Sequence, residues 1–247
     1  MDHLQLITGY IAGSGGFNSA WLLMIIIALV SLGVQWRFRS KFKEYAEIGL
    51  MSGMSGAEVA ERMLRDNGIY DVQVISVEGQ LTDHYNPENR TVNLSQDVYY
   101  SRSVAAAAVA AHECGHAVQH AKSYSWLKFR SAMVPLVTTA STITQWTLMI
   151  GVMLMFFSGN ATVLFIGVLA LAVVTAFSFV TLPVEFDASR RALAWLDNNH
   201  SVMQTRQEHA EAKDALWWAA MTYVVAALSS LATLLYYVSI LNSRNRD

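Results

Sequence analysis

The strongest chemical signal in the chain is the pentapeptide His112-Glu113-Cys114-Gly115-His116. On an α-helix, positions i and i+4 lie on one face a turn apart, so the two imidazoles can close on a single zinc ion. Glu113 then stands where a general base is needed beside an activated water. The preceding run, VAAAAVAA over residues 104–111, is strongly helical and holds the pair in register. Cys114, two residues from His112, points to another side of the helix, which suits a buried apolar role better than a ligand or nucleophile. Gly115 has no side chain, which fits either a close backbone approach or plain helix packing.

Two histidines do not complete a hydrolytic zinc site, which usually adds a third protein ligand and leaves the fourth position to water. The next carboxylate along the chain is Glu185, in Pro183-Val184-Glu185-Phe186-Asp187-Ala188-Ser189-Arg190-Arg191. Pro183 is expected to start a new helix there. Asp187 is the rival ligand, although two residues on a helix face apart. A charge that merely marks the end of a membrane span is the plainer reading of Glu185.

The elements that must position these residues lie partly in a membrane. Of 247 residues, 53% are hydrophobic and 15% charged, and the mean hydropathy is +0.30, too apolar for an ordinary soluble domain of this size. Residues 131–184 contain no charge. As one helix they would run about 80 Å, so they read as two spans broken at Ser158-Gly159-Asn160. Further spans occupy roughly Phe17 to Trp36, with Trp21 and Trp36 as interfacial anchors, and Ala215 to Asn242. Four spans result.

Asp2 and His3 lead the first span and Arg37, Arg39, Lys41 and Lys43 follow it, the charge order of a retained anchor rather than a cleaved signal. Fifteen of the 17 lysines and arginines fall in two segments, Arg37 to Arg130 and Arg190 to Lys213. By the positive-inside rule both segments are cytoplasmic and both termini outside, with Arg244 and Arg246 as the exceptions. The expected protein is a multi-pass component of the cell (inner) membrane whose active site faces the cytoplasm. A single cysteine excludes an intrachain disulfide framework, and a net charge of −2 gives no electrostatic case for nucleic acid.

The fold class expected is a mainly α integral membrane protein with about four transmembrane helices and a small cytoplasmic α+β lobe. Its parts are an anchor at 1–36, the lobe at 37–130, a transmembrane hairpin at 131–184, a cytoplasmic helix at 185–214 and a last span with its tail at 215–247. Within the lobe, Ser55 and Glu58 predict a capping box and Asn67-Gly68 the end of that helix. Three β-type runs follow, Val72 to Val77, Leu81 to Tyr85 and Thr91 to Leu94, and predict a short antiparallel sheet ahead of the zinc-motif helix. An edge strand of that sheet can hold an extended peptide by backbone bonding. Asp83 and His84 read as ordinary polar residues of a strand turn, with the cleft as the alternative. Thr138, Thr139, Ser141, Thr142, Thr144 and Gln145 in the second span suit lateral helix packing, or a polar path for a substrate. For the negative oxygen of the hydrolytic intermediate, Arg190, Arg191, His120 and His200 are all available donors.

Three stretches, LTDHYNPENRTVNLSQDVYY (81–100), SVAAAAVAAHECGHAVQHAKSYSWLKFRS (103–131) and LPVEFDASRRAL (182–193), closely resemble the YugP-like neutral zinc metallopeptidases of bacterial membranes. More distantly the chain is similar to the HtpX and CAAX-prenyl endopeptidases, in which a glutamate of an E-F-x-A-D signature completes the site. The resemblance implies a zinc metalloendopeptidase with Zn2+ held by His112, His116 and Glu185, and with Glu113 as the catalytic base. It implies a peptide or membrane-protein substrate. Ser189 departs from the distant pattern, standing where those relatives have Asp; either Ser189 orients a zinc histidine or another carboxylate such as Asp187 does.

Other classes draw on the same residues. Glu113-x-x-His116 is also half of a di-iron carboxylate motif, but the only partner is Asp197-x-x-His200, and no second Glu-x-x-His exists. A silent zinc scaffold would have no use for Glu113. An intramembrane protease of the site-2 type would want an Asp-Gly ligand motif, which the sequence lacks.

Overall fold

The computed structural model describes residues 3–244, with side chains over 22–242. The expectations attached to Asp2, His3, Trp21, Arg244 and Arg246 therefore fall outside the described side chains. The elements are α1 (His3–Ala46), α2 (Gly56–Asp66), β1 (Gln73–Val77), β2 (His84–Asn86), β3 (Thr91–Ser95), α3 (Gln96–Tyr99), α4 (Val104–Ala121), α5 (Ser125–Ser158), α6 (Thr162–Asn198) and α7 (Arg206–Arg244). Among the described residues four helical segments are long and apolar enough to cross a membrane: Leu22–Ala46, Ser125–Ser158, Thr162–Asn198 and Arg206–Asn242. The protein is a mainly α membrane protein with a small three-stranded sheet.

The chain divides into two compact units. One comprises 1–33, 132–179 and 224–247. Here α5 and α6 form the expected hairpin, turning at Gly159 with φ +69°. A Cβ on Gly151 would lie 2.5 Å from Leu164 Cα, so the two helices meet backbone to backbone. Leu148, Leu164, Val168, Leu171 and Ile240 form the core. Thr138, Thr139, Ser141, Thr142 and Thr144 return their hydroxyls to carbonyls four residues back. That satisfies them within α5 rather than laterally. The lateral polar bonds come instead from Ser31 with Ser229 (3.0 Å) and Thr175 with Ser230 (2.7 Å).

The other unit comprises 34–131 and 180–223. Helix α2 starts at the predicted capping box: Ser55 N–H donates to Glu58 Oε2 at 2.6 Å and Glu58 N–H to Ser55 Oγ at 3.3 Å. It ends at Asn67, with Gly68 at φ +70°. Its apolar face, Val59, Ala60, Met63 and Leu64, packs in one core with Val92 and Leu94 of β3, the alanines of α4, and Ala192 and Leu196 of α6. Small residues on α4 let its neighbours approach closely, which is the structural return on VAAAAVAA.

The sheet differs from its sequence expectation. Its order is β1-β3-β2, and only β2–β3 is antiparallel; β1 and β3 run parallel. The reason lies in TVNLS, all five residues of which are buried, so that strand needs a neighbour on both sides. The central place falls to β3, and β2 becomes an edge. Asp83 ties the approach to β2 onto the end of β3 by accepting Ser95 N–H at 2.7 Å. A second difference concerns Pro183, which lies inside α6 and does not begin a new helix. Its missing N–H costs one backbone bond in a helix that continues through it.

Candidate active site

Helix α4 is capped by Ser103, whose side chain accepts from Ala106 N–H at 3.2 Å. One turn apart on it, the rings of His112 and His116 sit edge to face with centroids 4.9 Å apart. Helix α6 brings Glu185 to the same point: its Oε2 lies 3.3 Å from His112 Nε2 and 3.6 Å from His116 Nε2. Glu185 is 2% exposed. The approach of α6 depends on Gly115, because a Cβ there would lie 2.5 Å from the Ala188 carbonyl oxygen. The glycine thus marks a close backbone approach.

The far nitrogens of both rings are held. Gln119, fully buried, gives both amide protons to acceptors, the Val184 carbonyl at 2.8 Å and Asp187 Oδ2 at 2.9 Å. That orients its Oε1 to accept from His116 Nδ1 at 3.1 Å. A proton on His116 Nδ1 serves that contact and leaves Nε2 facing Glu185. Ser189 Oγ lies 3.1 Å from His112 Nδ1 and holds that ring. Both alternatives left by the missing Asp are used: Ser189 touches one histidine, and Asp187 reaches the other through Gln119. Asp187 is otherwise taken by Arg190 and by Arg191 Nε at 2.6 Å, and it does not join the cluster.

Three atoms able to bind a metal, from His112, His116 and Glu185, lie within 4.8 Å of one another. Glu185 Oε2 is buried with no hydrogen-bond partner, an expensive arrangement for a carboxylate unless a cation faces it. Burial opposes a proton on His116, but the Glu185 and Glu113 carboxylates and Gln119 outweigh it and raise its pKa above the usual imidazole value. The donor set, two imidazole nitrogens and one carboxylate oxygen, fits Zn2+ with a position to spare.

Glu113 is nearly buried and accepts the Tyr85 N–H of edge strand β2 at 3.0 Å. A cavity of about 140 Å³ opens onto Glu113, His116 and Glu185, walled by β2 and its approach on one side and by Arg130 and Tyr223 on others. Asp83 and His84 line it, so they are cleft residues and not only turn decoration. The four donors suggested by sequence do not line it: Arg190 and Arg191 hold Asp187, His120 Nδ1 pairs with Tyr85 OH at 2.7 Å, and the His200 ring meets His209 edge to face. Asp197 bonds His209 at 3.0 Å rather than forming a second metal motif with His200. Sequence reasoning missed Arg130 and Tyr223. Arg130 had a signal, as the last charge before the uncharged block; Tyr223 sits in an apolar run and had none. Cys114 is fully buried on the opposite side, its Sγ 3.4 Å from the Ala60 carbonyl, and burial pushes its pKa well up.

The chain matches the family described as "Putative neutral zinc metallopeptidase" over residues 20–242. It is 41% identical over 231 residues to the "Putative membrane protease YugP" of Bacillus subtilis (strain 168), which covers 92% of this chain and 100% of that protein. No solved structure matches it.

Proposed function

Because the chain belongs to this family of neutral zinc metallopeptidases, for which Zn2+ is the implied cofactor, we propose that it is a membrane-embedded zinc endopeptidase whose site faces the cytoplasm. His112, His116 and Glu185 hold the metal, and Glu113 is the catalytic base. The observation that carries this reading is the convergence of the two Nε2 atoms on an orphaned, buried Glu185 oxygen, with Glu113 directly beside them.

When bound, zinc supplies Lewis acidity, polarising the scissile carbonyl and making a water acidic near neutral pH. The residues do the rest. Gln119 and Ser189 fix both imidazoles with Nε2 inward. Glu113 takes a proton from the attacking water as its oxygen bonds to the carbonyl carbon. It then returns that proton to the amine nitrogen as the carbon–nitrogen bond breaks. An extended substrate can lie along β2, whose Tyr85 N–H faces Glu113 and away from β3. Such main-chain recognition favours peptide and membrane-protein substrates with loose side-chain requirements. The cytoplasmic side follows from the lysine and arginine bias.

The test is Glu113→Gln. The variant is expected to bind zinc like the parent while cleavage falls by about 10²–10⁴-fold, the usual worth of a positioned base. Substantial turnover in the variant would move the base role elsewhere. Thiol labelling from outside should reach a cysteine placed at Asn160 but not one at Asn89, and the reverse pattern would invert the orientation.

A further inference from the structure

A second cavity, of about 210 Å³, adjoins the catalytic one. Phe38, Phe42, Leu81, Val109, Leu216 and Ala219 give it apolar walls. Three residues line both cavities: Asp83, Glu113 and Tyr223. Glu113 and Tyr223 thus stand where the two cavities meet. Asp83 is occupied with Ser95 and, like Glu113, is an acceptor of hydrogen bonds. Among these three, Tyr223 alone carries a side-chain donor.

Hydrolysis develops negative charge on the carbonyl oxygen as water adds, and a donor aimed at that oxygen lowers the barrier. We infer that the Tyr223 hydroxyl donates a hydrogen bond to this oxygen and is a catalytic residue. The inference rests on the reading of Glu113 as base. Tyr223 lines the catalytic cavity together with Glu113, Glu185 and Arg130. It is 39% exposed, so a bound chain can reach it. Arg130 lines the same small cavity, with Nη2 4.0 Å from Glu185 Oε1 and a buried Nε that has no partner. Its charge adds to the field at the same oxygen. No proton need leave the hydroxyl: it bonds more tightly as charge grows and relaxes when the carbon–nitrogen bond breaks. The four other donors suggested by the sequence do not line this cavity.

The experiment uses the full-length zinc-loaded protein in detergent, with fluorescein-labelled β-casein as substrate and a phosphonamidate peptide as tetrahedral mimic. Tyr223→Phe is expected to keep its zinc and its KM, while kcat falls by about 10²-fold, the order seen when one such donor is removed. The phosphonamidate Kd should rise by a similar factor, because the contact strengthens only toward the transition state. An unchanged kcat overturns the inference, as does a loss expressed only in KM or an unchanged phosphonamidate Kd. Glu113→Gln is run beside it. An active Glu113→Gln sinks the base reading, whereas an inactive one beside a fully active Tyr223→Phe sinks the Tyr223 role alone. Should Tyr223→Phe fail to fold, Tyr223→His and Tyr223→Leu replace it, with and without a ring donor; equal kcat in that pair overturns the inference.

Discussion

Gly115→Ala separates the stability of the helix from the geometry of the site. Alanine is the better helix former by about 1 kcal/mol, so α4 taken alone gains. The new methyl, however, falls 2.5 Å from the Ala188 oxygen, and ordinary contact begins at 3.4 Å. About 0.9 Å must be found, whereas metal–ligand distances tolerate about 0.2 Å. Both partners are helix backbone, so no flexible side chain can yield. Overpacking of this kind costs about 1–3 kcal/mol, which offsets the propensity gain and leaves a modest change in Tm. The site takes the larger effect, since Glu185 and Ser189 flank Ala188 on α6 and move with it. A displacement near 1 Å costs about 10²-fold in rate, and zinc affinity should fall at least about tenfold with the third ligand misplaced. Competition against a chelating dye measures the zinc Kd, and the Tm of the same sample gives the control. A variant that matches the parent in both zinc affinity and turnover would show that the contact does not set the spacing of α4 and α6.

Further outcomes follow from the residues behind the ligands. Gln119→Leu removes the acceptor for His116 Nδ1–H and should weaken zinc by about 10–100-fold by the same titration, more than Ser189→Ala, which frees only the His112 ring. Glu185→Ala should release zinc and stop hydrolysis, while Asp187→Ala should act only through Gln119 and cost less; metal analysis of the two variants decides between them. Asp83 has its pKa raised by burial, despite its bonds from Ser95. A carboxyl whose folded pKa is raised favours the folded state at low pH and loses that contribution as pH rises through the folded value. Asp83→Asn should therefore raise Tm at neutral pH and have little effect near pH 3, which a series of melts would check.

Legibility in the sequence followed the range of the interactions. The HExxH helix, the capping box of α2 and the hairpin turn at Gly159 are local patterns, and each appears where the residues placed it. Glu185 was legible as a candidate because few carboxylates exist beyond the motif in so apolar a chain. The parallel pairing of β1 with β3 was not, since it depends on which strand is buried on both faces. The continuity of α6 through Pro183 was hidden because proline starts and interrupts helices alike. Gln119 looked like any helical polar residue; only its burial between Val184 and Asp187 gives it a role. Tyr223 was out of reach for a similar reason, as an aromatic in a membrane-spanning run reads as a lipid or packing contact.

The burial of Cys114 has a practical consequence for probe chemistry. It is the chain's single cysteine and is fully shielded, and its thiol resists ionisation. Maleimides and mild oxidants react with exposed thiolates, so they should leave the folded protein untouched although Cys114 falls between His112 and His116 in the sequence. The natural sequence can thus serve directly as the silent background for introduced cysteines, sparing a substitution within α4. Inactivation by a chelator without inactivation by N-ethylmaleimide would be the corresponding chemical signature, and adduct formation at Cys114 in the native state would show that α2 and α4 open far enough to expose it.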